Sequence, residues 1–310
     1  MNLAMTINPW QDEQVIFAQQ FSATHILAQA VLPSGSQGEW NHQILSAMRN
    51  RIEKAGLAFA GLDSLPIPYN RSVLGLSGGE KEIPAVLAFL QSAADAGIPL
   101  VCYRWITSAA VPTRHTPIGR GGAMVRSAAA SSSQQANSSR DRVSQFLEAI
   151  LPAAQKAGIT LAFSPTSPLT HADILEEGFP GGLSDLMWLA SQFTAPCHGI
   201  DLNLGVVFDL DEAEFDPNRY EETLLEFLER GKVLLVSAAN RLSGDRQKRE
   251  AFLNEGIINL PKIFHTLHQR GYRGIIRADR QPLLNGDTIW GHKSQAYAFG
   301  FLRAVLQAIG

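Results

Sequence analysis

The segment Ala157-Gly158-Ile159-Thr160-Leu161-Ala162-Phe163-Ser164 decides the fold. A helical pattern from Arg142 to Ala157 gathers Phe146, Leu147 and Ile150 on one face and stops at Gly158. Glycine suits the position just past a helix because it takes left-handed backbone without steric cost. A short apolar run follows and ends in one polar residue, Ser164. The same punctuation recurs along the chain. Asn41 to Ala55 places Ile44, Leu45, Met48 and Ile52 together before Gly56; Tyr220 to Arg230 ends at Gly231, and Leu260 to Arg270 at Gly271. With Gly97, this pattern precedes the third, fourth, fifth, seventh and eighth of eight strand candidates, at 3–8, 25–31, 57–63, 99–105, 159–164, 199–204, 232–237 and 273–279. Continuous apolar runs mark parallel strands covered on both faces. Eight such units predict an α/β fold, a single (β/α)8 TIM-barrel domain over residues 1–310, with a last helix at 294–309 closing the ring.

In that architecture chemistry gathers at the C-terminal strand ends. Four runs end in a polar residue there: Leu161-Ala162-Phe163-Ser164, Ile200-Asp201-Leu202-Asn203, Val233-Leu234-Leu235-Val236-Ser237 and Gly274-Ile275-Ile276-Arg277-Ala278-Asp279. Only the last ends in a charged, metal-competent group. Arg277 and Asp279 are two apart on one strand and so share a face. Asp201 and Asn203 share a face likewise, either as part of an oxygen-rich site with Asp279 or with Asp201 in a local ion pair. The long Ser- and Ala-rich loop at about 107–141 follows strand four. It reads as a flap over the mouth or, for 127–139, as a solvated linker. Within it, His115 beside Arg114 is the leading functional histidine, whereas His265 and His268 read as a polar helix face.

Net charge is -3 and 18% of residues are charged, without a basic stripe, so no nucleic acid or anionic membrane is expected as partner. Two cysteines, Cys102 and Cys197, make no disulfide framework, and Cys102-Tyr103 reads as core. Without a signal-peptide pattern or an apolar run of transmembrane length, a cytoplasmic location is expected.

Several strings resemble the mannonate dehydratases, metal-dependent barrels of the xylose-isomerase-like group. They are Trp40 with Arg49-Asn50-Arg51-Ile52-Glu53-Lys54-Ala55-Gly56-Leu57, Asp63-Ser64-Leu65-Pro66, Ala96-Gly97-Ile98-Pro99-Leu100-Val101-Cys102-Tyr103, Arg120-Gly121-Gly122-Ala123, Ile150-Leu151-Pro152 and Gly271-Tyr272-Arg273-Gly274-Ile275-Ile276-Arg277-Ala278-Asp279. The likeness spans nearly the whole chain at even spacing. It implies a protein acting on or binding a sugar acid, and for an active enzyme a hydro-lyase that dehydrates D-mannonate to 2-keto-3-deoxy-gluconate.

The resemblance also implies a divalent metal, Mn or Fe, held by His, Cys, His and Asp on strands five to eight. Those places fall here at Ser164, Asn203, Ser237 and Asp279. A His pair after strand two becomes Ala30-Val31, and the His after the strand-eight Asp becomes Arg280. Neutral hydroxyls and an amide are poor ligands for such metals, so no tightly bound cofactor is expected. Losing the histidines also removes the obvious proton-transfer groups. Asp279 and Arg277 remain as the catalytic candidates, with Arg104, Arg114, Arg120, Asn240 and Arg280 for the substrate. Arg104 stands where the family usually has Asn. Arginine charge, from Arg277, Arg280 and Arg104 as partners for Asp279, is expected either to replace the metal and grip a carboxylate or to form a purely structural ion pair across a closed barrel mouth. The alternatives are an inactive homologue serving as a ligand-binding or protein-interaction module, and a sugar isomerase or epimerase barrel. Association with a second copy of the chain stays open.

Overall fold

The computed structural model describes residues 1–35, 39–104, 113–128, 140–165, 183–207, 217–242, 250–279 and 281–310. Among them, eight parallel strands close into a barrel: β1 (Asn2–Ile7), β2 (His25–Ala28), β3 (Ala58–Leu62), β4 (Leu100–Tyr103), β5 (Thr160–Phe163), β6 (His198–Asn203), β7 (Val233–Ala238) and β8 (Ile275–Ala278). Each neighbours the next, and β8 returns to β1 through Asn2↔Ile275, Leu3↔Ile276 and Ala4↔Arg277. The expected strands are found within a few residues of their sequence limits. Helices α1 (Asp12–Gln20), α2 (His42–Lys54), α3 (Glu82–Asp95), α4 (Arg140–Ala157), α5 (Leu183–Gln192), α6 (Pro217–Glu229), α7 (Leu260–Gln269) and α8 (His292–Ile309) alternate with them. No helix among the described residues is long and apolar enough to cross a membrane.

Local chemistry sets the helix ends. Asn41 caps α2 by accepting the Ile44 N–H at 3.1 Å, satisfying one of the donors a helix start leaves open. At the other end Gly158, at φ 68°, reverses the chain so that Ile159 N–H reaches back to the Ala154 carbonyl at 2.9 Å. That tight stop delivers the chain straight into β5.

Two apolar layers result. A large cluster fills the space between strands and helices, with Leu45, Met48, Phe146, Leu147, Phe264 and Phe299 among its members. A small inner cluster of Leu27, Ala60, Leu100, Cys102, Ala162 and Leu235 fills the barrel. Two residues further along their strands, the inward positions turn polar: Ala162 gives way to Ser164, and Leu235 to Ser237. The interior is therefore greasy at the floor and polar toward the mouth. Cys102 and Cys197 are both buried and free, as expected of core thiols.

The stretch at about 107–141, expected as a loop, departs from that reading where it is described. It holds an antiparallel hairpin, Thr113–Thr116 against Val125–Ala128, joined through a turn of 3-10 helix at Arg120–Gly122. The physical reason is docking. Ala123 and Val125 are buried, and Met124 exchanges two backbone hydrogen bonds with Leu283, at 2.8 and 2.9 Å. Most of the linker expected at 127–139 lies outside the described residues.

Candidate functional site

Register across three strands builds the site. Ser237 on β7 pairs with Asn203 on β6 and with Arg277 on β8, so these three inward side chains form one row. Asp201 sits two residues below Asn203, next to a register shift between Ile200 and Asp201, and is 1% exposed. Its carboxylate is the hub. Oδ1 accepts from Ser237 Oγ at 2.6 Å; Oδ2 accepts from Ser164 Oγ at 2.9 Å and from Arg277 Nη2 at 2.7 Å. Arg277 further donates Nε to Ser237 Oγ at 2.8 Å and Nη1 to Thr6 Oγ1 at 3.2 Å. Burial alone would lower the Arg277 pKa. The facing negative groups, Asp201 foremost and Asp279 and Asp63 with it, outweigh burial and hold it above its usual value. The guanidinium is a permanent charge at the centre of the barrel.

This arrangement corrects the expected partnership for Arg277; Arg280, the neighbouring candidate, lies outside the described residues. The ion pair of Arg277 goes to Asp201, two strands away, although Asp279 is its neighbour on the same strand. Asp279 Oδ2 instead accepts from Asn203 Nδ2 at 2.6 Å, while Asn203 Oδ1 accepts the Gly205 N–H at 3.1 Å. Asp201 therefore takes an ion-pair role, but across strands instead of locally, and as the centre of the network.

The other expected substrate residues fall in different places. Asn240 is not free for a ligand. Its Nδ2 donates to the Leu253 and Ile258 carbonyls at 3.1 and 2.9 Å, and its Oδ1 accepts from the Arg241 and Ile258 N–H groups. All its hydrogen-bonding capacity is spent on pinning the loop after β7. Arg120 pairs with Glu255 at 2.8 Å and lies 4.9 Å over the Phe252 ring, so it fastens the hairpin. Arg104, immediately after β4, donates Nη2 to the Asp63 carbonyl at 3.1 Å. Arg280 and the Arg114 side chain lie outside what is described; His115 is exposed on the hairpin.

Two residues escaped the sequence reading. Asp63 at the end of β3 accepts the Ala30 N–H at 3.1 Å and the Ser64 hydroxyl at 3.0 Å. Thr6 on β1 supports Arg277, and only the strand register could have revealed it. Burial pushes the Cys102 thiol up to about 12, so it stays protonated beside these charges. His198, at the opposite end of β6, is held down to about 4 by burial and sits 2.6 Å from the Tyr103 hydroxyl, away from the mouth.

As a divalent metal centre the set does not fit. Both serine hydroxyls point their hydrogens at Asp201, Asn203 turns its amide NH2 toward Asp279, and a guanidinium lies among them. Among the described residues, no three His, Cys, Asp or Glu side chains converge on one point.

Comparisons with known proteins bear on the same barrel. A family model described as xylose isomerase-like TIM barrel matches residues 33–284. Mannonate dehydratase 2 of Halalkalibacterium halodurans is 23% identical, covering 95% of this chain and 93% of its own. The mannonate dehydratase of Lactococcus lactis subsp. lactis is 22% identical over 87% of each. Among solved structures, the mannonate dehydratase from Streptococcus suis serotype 2 superposes with a TM-score of 0.84 at 16% identity, covering 100% of this chain and 93% of that one. A D-psicose 3-epimerase from Clostridium cellulolyticum H10 reaches 0.66 at 10% identity, covering 99% of each chain.

Proposed function

The chain belongs to the xylose isomerase-like TIM barrel family, and from that membership we propose that it is a sugar-acid-directed barrel whose interior cation is the Arg277 guanidinium instead of a divalent metal. One observation carries the reading. The two serines standing where the resemblance places histidine ligands both donate to Asp201, and Asp201 is paired with Arg277 at 2.7 Å. A divalent ion about 4 Å from that guanidinium would meet a repulsion of roughly 8 kcal/mol at an effective dielectric of 20. Ser237 Oγ already accepts from Arg277 Nε, and neutral hydroxyls are poor ligands for such a metal.

The relatives named as mannonate dehydratases supply the substrate class, a polyhydroxylated carboxylic acid. Dehydrating such a molecule means removing a proton beside the carboxylate and expelling a hydroxyl from the next carbon, and a metal eases both. Asp201 is fully engaged by Ser164, Ser237 and Arg277. Asp279 is half-buried at the rim, where it accepts from Asn203. We therefore read the barrel as a sugar-acid binder without the metal-dependent hydro-lyase reaction.

The test uses purified full-length protein. Metal content is measured by mass spectrometry, and D-mannonate binding by calorimetry before and after EDTA. Formation of 2-keto-3-deoxy-gluconate is followed with and without added Mn. Substoichiometric metal, EDTA-insensitive binding and no keto acid are expected. Stoichiometric Mn, Fe or Zn whose removal abolishes binding, or Mn-dependent turnover, would overturn the reading.

A further inference from the structure

We propose that Arg104 is the specificity-determining seat for a carboxylate on the ligand, and that through it the barrel takes acidic sugars and refuses neutral ones of the same length. The inference rests on the sugar-acid reading of the mouth. It deepens that reading by assigning the anion to one side chain.

The residue is fixed before any ligand arrives. Its backbone is clamped by Tyr69, whose hydroxyl accepts the Arg104 N–H at 3.0 Å and donates to the Arg104 carbonyl. Tyr69 is in turn buried and stacked on Phe146 at 5.5 Å between ring centres. Arg104 Nη2 donates to the neutral main-chain carbonyl of Asp63. One edge of the guanidinium is thus anchored on rigid strand ends.

The charge itself is unspent. Among the described residues Arg104 makes no ion pair, and its Nε is buried without a hydrogen-bond partner. Oδ1 of the Asp63 carboxylate accepts from the Ala30 N–H and the Ser64 hydroxyl, and the carboxylate makes no ion pair with Arg104. Arg277, the other mouth arginine, has the opposite character: a carboxylate, two hydroxyls and almost no exposure. Arg104 directly follows β4 and Arg277 stands one residue before the end of β8, so both belong to the C-terminal end of the barrel.

A half-buried guanidinium with an empty Nε donor is costly unless something fills it, because a buried donor without an acceptor loses its water and gains nothing. Nε and Nη2 form one of the two forks by which arginine grips a carboxylate; Nη2 carries two hydrogens, of which the Asp63 carbonyl takes one. A ligand carboxylate satisfies the charge and the orphan donor together. A neutral sugar hydroxyl could meet the donor but would leave the charge unpaired.

Calorimetry on the full chain tests this with D-mannonate, with D-mannitol as the neutral polyol of equal length, and with malonate as a carboxylate without a sugar. The wild type is expected to bind D-mannonate and not D-mannitol. Arg104→Met should bind D-mannonate about tenfold to a hundredfold more weakly. Arg104→Lys, which keeps the charge without the fork, should fall between. Unliganded Arg104→Met should melt no lower than the wild type, since it removes an unpaired charge; a purely structural role would lower its melting temperature. Undiminished D-mannonate binding by Arg104→Met would overturn the assignment and leave the sugar-acid reading standing. Malonate binding that depends on Arg104, with neither sugar bound, would keep the anion seat and remove the sugar reading. A wild type that binds none of the three overturns both.

Discussion

At the scale of single residues, the Asp201–Arg277 pair shows how a barrel interior can hold charge without an ion. Asp201 accepts three hydrogen bonds, and Arg277 spends three N–H groups on Asp201, Ser237 and Thr6. A buried pair is weak evidence for net stability, because desolvation offsets its Coulomb gain, whereas breaking it leaves one charge uncompensated. Arg277→Met and Asp201→Asn should each cost about 3–5 kcal/mol in urea unfolding at neutral pH, and the double variant Asp201→Leu/Arg277→Met should recover most of that loss. A double variant as unstable as the sum of the singles would mean the two residues act independently, against the network described. The strand-end residues Ser164, Asn203, Ser237 and Asp279 were legible in the sequence, since each is the polar stop of an apolar run. The pairing was not. Spacing along β8 joins Arg277 to Asp279, but the carboxylate that reaches the guanidinium comes from a strand 76 residues away. Only the register of β6, β7 and β8 brings it there.

At the scale of elements, the helix-to-strand joint repeats with one instructive exception. Gly56, Gly97, Gly158, Gly231 and Gly271 all take left-handed backbone, with φ between 65° and 80°. In each case the next N–H bonds back into the helix just ended. That chemistry is local, which is why five joints could be read from the sequence. The joint before β2 has the same geometry without a glycine. Ser22 stands at φ 53°, the one positive-φ residue other than glycine among those described, and Ala23 N–H still reaches the Ala18 carbonyl at 2.9 Å. Helix α1 is also hard to read because its inner face carries buried Gln14, which accepts the Asn8 N–H at 2.8 Å. Left-handed backbone strains a serine by about 1–2 kcal/mol, and glycine loosens the unfolded chain by somewhat less. Ser22→Gly should therefore raise unfolding stability by about 0.5–1 kcal/mol. A fall in the denaturation midpoint would show that the serine hydroxyl is needed at that turn.

At the scale of the whole molecule, the hairpin joins opposite sides of the ring. The ring order places β4 opposite β8, four strands away in either direction. The chain leaves β4, yet its hairpin docks at Leu283, beyond β8, and ends in contact with Glu250–Ala251, beyond β7. The hairpin thus docks on the far side of the ring from the strand it follows. Composition hid this strap, because the Ser- and Ala-rich flank at 127–139 masks the short stretch that docks. Arg120 is its main fastening, paired with Glu255 and lying over Phe252 and, at 6.0 Å, Tyr297 of α8. That guanidinium is about half exposed, so the ion pair contributes little and the ring contact about 0.5–1 kcal/mol. Arg120→Met should accordingly leave global unfolding nearly unchanged while loosening the strap. The expected signs are faster limited proteolysis within 113–128 and faster release of bound D-mannonate in stopped-flow dilution. Faster cleavage with unaltered release would mean the strap does not guard the opening. Unaltered cleavage would mean the Met124–Leu283 bridge holds the hairpin by itself.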